Sequence, residues 1–89
     1  MSGVGERGRR TNDGLWVSAV IAALDLHRGL FELSQGQLRA AQADFASANA
    51  KAPHYSDPLK AWSDLLARAG DRKGALAKYD EALKYAPAW

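Results

Sequence analysis

The sequence predicts an all-α fold of about four helices, arranged as antiparallel helix–turn–helix repeats stacked into a short solenoid. Three observations predict it. Apolar residues recur at three- and four-residue spacing from Leu15 onward, with no alternating run that would mark a strand. Gly36, Pro53, Gly70 and Pro87 punctuate that pattern. Sliding the chain by 34 residues lays Gly36 on Gly70, Pro53 on Pro87, Ala41 on Ala75, Ala48 on Ala82 and Phe45 on Tyr79.

Taken in order, residues 1–14 hold Gly3, Gly5, Gly8 and Gly14, no aromatic residue, and Arg7, Arg9 and Arg10 against Glu6 and Asp13. Such a stretch cannot bury enough apolar area to offset its ordering entropy, so it reads as a flexible basic tail. Residues 15–89 form a single domain: an N-terminal helix extension over 15–21, a first repeat over 22–55 and a second over 56–89. The extension is expected to be buried. In the first repeat one helix runs to about Gln35, Gly36 breaks it, and a second runs from about Gln37 to Ala52. In the second repeat Asp57 is the expected N-cap, with Pro58 at the first helical position. Leu59, Trp62, Leu65, Leu66 and Ala69 then mark one helical face. Gly70 takes the left-handed turn, Asp71 caps the last helix, and Ala75, Leu76, Tyr79, Ala82, Leu83 and Ala86 form its expected buried side.

Composition narrows the function. The chain has no cysteine, which removes disulfide frameworks, zinc fingers and thiol nucleophiles together. His27 and His54 have no carboxylate at useful spacing, and Asp80 and Glu81 are adjacent and so point different ways on a helix. No enzyme, metal site, cofactor or small-molecule substrate is expected. Gly3-x-Gly5-x-x-Gly8 matches a dinucleotide fingerprint as text, but no strand precedes it. The net charge of +2 gives no strong pull toward nucleic acid. Leu15 to Leu24, LWVSAVIAAL, has the length of a signal-peptide core, with Val20-x-Ala22 as a crude cleavage site. Glu6 and Asp13 spoil the charge before it, so a cytoplasmic location is expected, with secretion of a chain cleaved after residue 22 as the alternative. The run is too short to span a bilayer.

A 34-residue helical hairpin with these small residues resembles the tetratricopeptide repeat, TPR. The second unit reads Leu59-x2-Trp62-Ser63-x2-Leu66, then Ala75-x3-Tyr79-x2-Ala82-x4-Pro87; the second helix of the first unit reads Ala41-x3-Phe45-x2-Ala48-x4-Pro53. Gly29 stands where the family has its first-helix glycine, while Asp25, Arg28 and Glu32 stand where it has large apolar residues. Leu24, His27 and Phe31 lie one step earlier, so two registers are open: the one Gly29 sets, and one rotated by a residue. The resemblance covers residues 22–89 and implies a right-handed α-solenoid that binds a protein or peptide partner along the face of its first helices. On that face it places Leu26, Leu30 and Leu33 from the first unit and Lys60, Asp64 and Arg68 from the second. Family members that clamp a peptide carboxylate use a lysine and an asparagine where this chain has Leu26 and Leu30, so that activity does not carry over.

The expected function is a non-catalytic protein–protein interaction or scaffolding module. The alternative is a purely structural part of a longer array, and a weaker one is nucleic-acid or membrane-surface contact through the arginines of the tail. Two repeats leave outer faces uncovered, so self-association is a further expectation.

Overall fold

The computed structural model describes residues 2–85, with side chains from Val17 onward. Four helices follow one another: α1 (Ser2–Ser34), α2 (Leu38–Lys51), α3 (Ser56–Arg68) and α4 (Arg72–Leu83). The described residues contain no strand. Short turns fold α1 against α2 and α3 against α4 as antiparallel hairpins, and α2 packs on α3 to stack the two. Helix α1 touches α3 over a smaller area, and among the described residues α4 packs on α3 alone.

Both hairpin turns close in the same way. Gly36 and Gly70 have φ of 77° and 89°, the left-handed region that glycine enters without steric cost. After Gly36 the Gln37 N–H donates to Glu32 O at 2.8 Å; after Gly70 the Asp71 N–H donates to Leu66 O at 2.8 Å. The glycine N–H groups donate three residues back, to Leu33 O and Ala67 O. This is the Schellman closure, which satisfies the last carbonyls of α1 and α3. Asp71 then caps α4 by accepting from the Gly74 N–H at 2.9 Å.

Three boundaries differ from expectation. Helix α1 carries helical backbone back to Ser2, across the 1–14 stretch whose composition reads as a tail. Propagating an anchored helix needs no new nucleus, so it runs into sequence that would not start one. The side chains of residues 1–16 lie outside the described set, as do Ala86, Pro87 and Trp89. Helix α3 begins at Ser56 after an extended Tyr55, not after an Asp57 cap. Pro58 remains in the first turn, where its missing N–H breaks no helical bond. The 15–21 extension, expected to be buried, is not buried over its described residues 17–21: Val17, Ala19 and Ile21 are exposed and Ser18 and Val20 half-buried. Full burial begins at Ala22, because no helix packs over that stretch of α1 among the described residues.

The core lies inside the first hairpin and at its junction with α3. Leu26, Leu33, Ala41, Phe45 and Leu65 form one buried cluster, with Leu38, Tyr55, Ala61, Trp62 and Leu66 packed against it. Ala41, Ala48 and Ala82 are fully buried and Ala75 nearly so, small residues where two helices approach closely. Gly29 answers the question of register. It is buried, and a Cβ there would stand 2.5 Å from Phe45 Cε1. Leu24, His27 and Phe31 are exposed, so α1 is not rotated. In the second hairpin Ser63 takes the place of Gly29, and its hydroxyl donates to Ala75 O at 2.7 Å. Tyr79 and Leu76, expected to be buried, lie exposed on the outer side of α4, because no further helix covers that side among the described residues. His54, in the turn between α2 and α3, stacks on Tyr85 with ring centroids 4.9 Å apart, which ties the end of α4 to that turn.

Candidate functional site

The first helices of the two hairpins, α1 and α3, form the walls of an open groove of about 470 Å³. Leu26 and Leu30 line it from α1; Asp57, Lys60, Ala61 and Asp64 line it from α3. The two leucines lie a helical turn apart, as do Lys60 and Asp64, so each helix offers one row. Leu26 is buried at the floor, and Leu30 is half-exposed at the edge. The groove is thus apolar on one wall and charged on the other. Asp64 accepts from Arg68 at 3.1 Å, an exposed pair on the surface of α3.

Of the six residues assigned to this face, the structure brings Leu26, Leu30, Lys60 and Asp64 to the groove. Arg68 reaches it only through Asp64. Leu33 does not line it, since it is buried in the core beside Phe45 and Leu65. Near the end of α1 the helices close together, and the residue a further turn along is covered. A second hollow of about 440 Å³ lies between Ser18 and Ala19 of α1 and the 51–55 turn.

Behind the groove, the charged residues at the apolar signature positions make a network between α1 and α2. Asp25 accepts from Lys51 Nζ at 2.7 Å, Ser47 Oγ at 2.9 Å and Arg28 at 3.1 Å. Arg28 also holds both oxygens of Asp44, at 2.7 and 2.9 Å, the bidentate geometry that suits a guanidinium. Asp25 and Asp44 are buried, whereas the Arg28 and Lys51 side chains are largely open to solvent. Glu32 comes against Asp44, and its Oε1 is buried without a donor. Asp44, Ser47 and Lys51 are functional in this packing and were not singled out by the sequence. The signal that could have found them is their spacing, which places them opposite Arg28 and Asp25 across the hairpin.

The carboxylates respond to this setting in opposite senses. The hydrogen bond from Lys51 outweighs burial and lowers the Asp25 pKa; the Arg28 hydrogen bonds do the same for Asp44. Glu32 is raised, first by hydrogen bonding with the Asp44 carboxylate beside it and then by burial. The aspartates therefore stabilise the fold fully above the ordinary carboxylate range and lose that contribution as pH falls through their lowered values. Glu32 acts the other way: its contribution is full below its ordinary value and is lost as pH rises through its raised one. Glu32→Gln, whose amide donates to Asp44 without a charge, is expected to raise the melting temperature at pH 7 and to leave it unchanged near pH 4. Melting curves at both pH values check this; a lower melting temperature at pH 7 would count against the raised Glu32 pKa.

Lys78 Nζ of α4 lies 3.9 Å from the centroid of the Trp62 ring of α3, a cation–π contact, and the buried Trp62 Nε1 has no acceptor. Among the described residues, no three His, Asp or Glu side chains converge to hold a metal ion, and no helix is long and apolar enough to cross a membrane. Compared with models of protein families, with curated proteins and with solved structures, the chain matches none of them.

Proposed function

We propose that this chain is a TPR-like repeat module that binds a segment of a partner protein in the groove between α1 and α3, without catalysis. One observation carries the reading: Leu26 and Leu30 stand across an open groove from Asp57, Lys60 and Asp64. That arrangement suits an amphipathic peptide, with an apolar side chain anchored on the leucine wall and charged groups meeting the α3 row. The 34-residue pattern and the repeated Schellman turns support the family resemblance. A cytoplasmic location belongs to the same reading and rests on the acidic residues ahead of the apolar run at Leu15.

The test is a peptide-display selection on the full chain, followed by titration of the selected peptides by fluorescence anisotropy. Peptides with an apolar anchor beside charged residues are expected. Leu30→Glu should weaken them by roughly tenfold or more, at unchanged melting temperature, because Leu30 is an edge residue of the groove. Selected peptides that bind Leu30→Glu as well as the unaltered chain would place the site elsewhere. Binding that vanishes on removal of residues 1–14 and falls steeply with salt would favour the arginine tail instead.

A further inference from the structure

The 34-residue shift relates α3 to α1, and α3 already shows what this kind of helix does with its outward face. Leu65 lies in the buried cluster with Phe45 of α2, Tyr55 packs against that cluster, and Pro58, on the same face, is fully buried. Their counterparts 34 residues earlier are Phe31, Ile21 and Leu24. All three are apolar, and all three are open: Phe31 is 64% exposed, Leu24 63% and Ile21 39%. Val17 extends the same stripe one step further. Apart from Arg28, which stands where α3 has Trp62 and is turned to Asp44 of α2, helix α1 therefore presents the apolar positions on which α3 receives a helix, in the same register, on the side away from Leu26 and Leu30. We infer that the stripe Val17–Ile21–Leu24–Phe31 is a stacking surface for α4 of a second copy of this chain, packed as α2 packs on α3.

The occupant follows from the other end of the molecule. Inside the chain the junction is made by α2, and the helix equivalent to α2 is α4. Its neighbour among the described residues is α3 alone. Leu76, Tyr79 and Leu83 lie on one stripe of α4, and Leu76 is 64% exposed. The corresponding α2 residues are Gln42, Phe45 and Asn49, so α4 is more apolar at the two flanking positions than the helix that already forms a junction. The lengths agree. Fourteen steps from Val17 to Phe31 span about 21 Å, and the twelve residues of α4 span about 18 Å. Two different surfaces meet in such a contact, so it is heterologous and repeats from copy to copy without closing on itself at two. This inference does not rest on the peptide groove, because its residues are different and its readout is mass.

The experiment is sedimentation velocity on the full chain from low-micromolar to near-millimolar concentration. The unaltered chain is expected to grow beyond a dimer as concentration rises. Leu24→Glu on α1 and Leu76→Glu on α4 should each hold the chain monomeric, raising the dissociation constant at least roughly tenfold. Each variant keeps one intact surface, so an equimolar mixture of the two should form a one-to-one dimer and stop there. Circular dichroism establishes that both are folded, and Leu24→Gln and Leu76→Gln replace either that is not. A chain that is monomeric throughout overturns the inference. So does association lost in Leu24→Glu but kept in Leu76→Glu, which would mean that α1 pairs with α1, and so does a mixture that fails to dimerise.

Discussion

Replacing Phe45 with alanine is expected to lower the unfolding free energy by about 3–5 kcal/mol, the largest effect of any single truncation in the molecule. The ring is fully buried, lies against Gly29 of α1 and shares its cluster with Leu65 of α3. One side chain thus closes the first hairpin and joins it to the second. Removing it leaves a cavity that three helices border, and the fully buried alanines nearby cannot grow to fill it. Domains of this size have a total stability of roughly 5–10 kcal/mol, so the variant should be partly unfolded at physiological temperature. Urea unfolding followed by circular dichroism measures it. A loss below about 1 kcal/mol would mean that Phe45 does not bridge the helices as described.

The second large effect comes from the opposite change. Gly29→Val puts a Cβ 2.5 Å from Phe45 Cε1, 2.7 Å from Cδ1 and 3.3 Å from Ala41 O, before its two methyl groups are added. A glycine inside a helix gains up to about 1 kcal/mol in propensity when replaced, but overpacking costs about 1–3 kcal/mol or more, and here the ring has no open side to move toward. Destabilisation of about 2–3 kcal/mol is expected on balance. The two substitutions touch the same atoms, so their effects should not add. With Phe45→Ala in place the valine no longer meets a ring, and the double variant should be more stable than the sum of the single losses implies, by about 1 kcal/mol or more. Strict additivity, within about 0.5 kcal/mol, would show that the close approach of Gly29 and Phe45 is relieved by other means.

Much of this architecture was legible in the sequence because its signals are local. Gly36 and Gly70 act through their own φ angles, Asp71 through an N–H three residues on, and the small alanines through the period of one helix. The groove was legible in part. Repeat register put Leu26, Leu30, Lys60 and Asp64 on one face, but register states which way a residue points and not how far the next helix reaches. Leu33 was therefore assigned to a surface that the converging helices cover. Asp25, Arg28 and Glu32 left the register open for another reason. Hydrophobic periodicity treats a charge as solvent-facing, and only the partners Asp44, Ser47 and Lys51, on a different helix, make burial tolerable. The stripe Ile21, Leu24 and Phe31 was the mirror of that error, apolar residues that looked like a core and lie outside it.

The ion network also bears on how two similar hairpins avoid exchanging halves while they fold. A repeat chain offers each first helix two partners of nearly the same shape, and misassembly between like units is a known hazard of such folds. Here the wrong choice is penalised by sign. Shifted by 34 residues, Asp44 becomes Lys78, Ser47 becomes Glu81 and Lys51 becomes Tyr85. If α1 paired with α4, Arg28 would face Lys78 where it now grips Asp44, and Asp25 would meet Glu81 and lose its lysine. If α3 paired with α2, Leu59 and Trp62 would cover Asp44 and Lys51 with nothing to neutralise them. An apolar interface would accept either partner, whereas these charges accept one, and discrimination of this kind comes from the cost placed on the competitor. The first hairpin gives up part of a greasy seam, and in return each half of the molecule recognises its own.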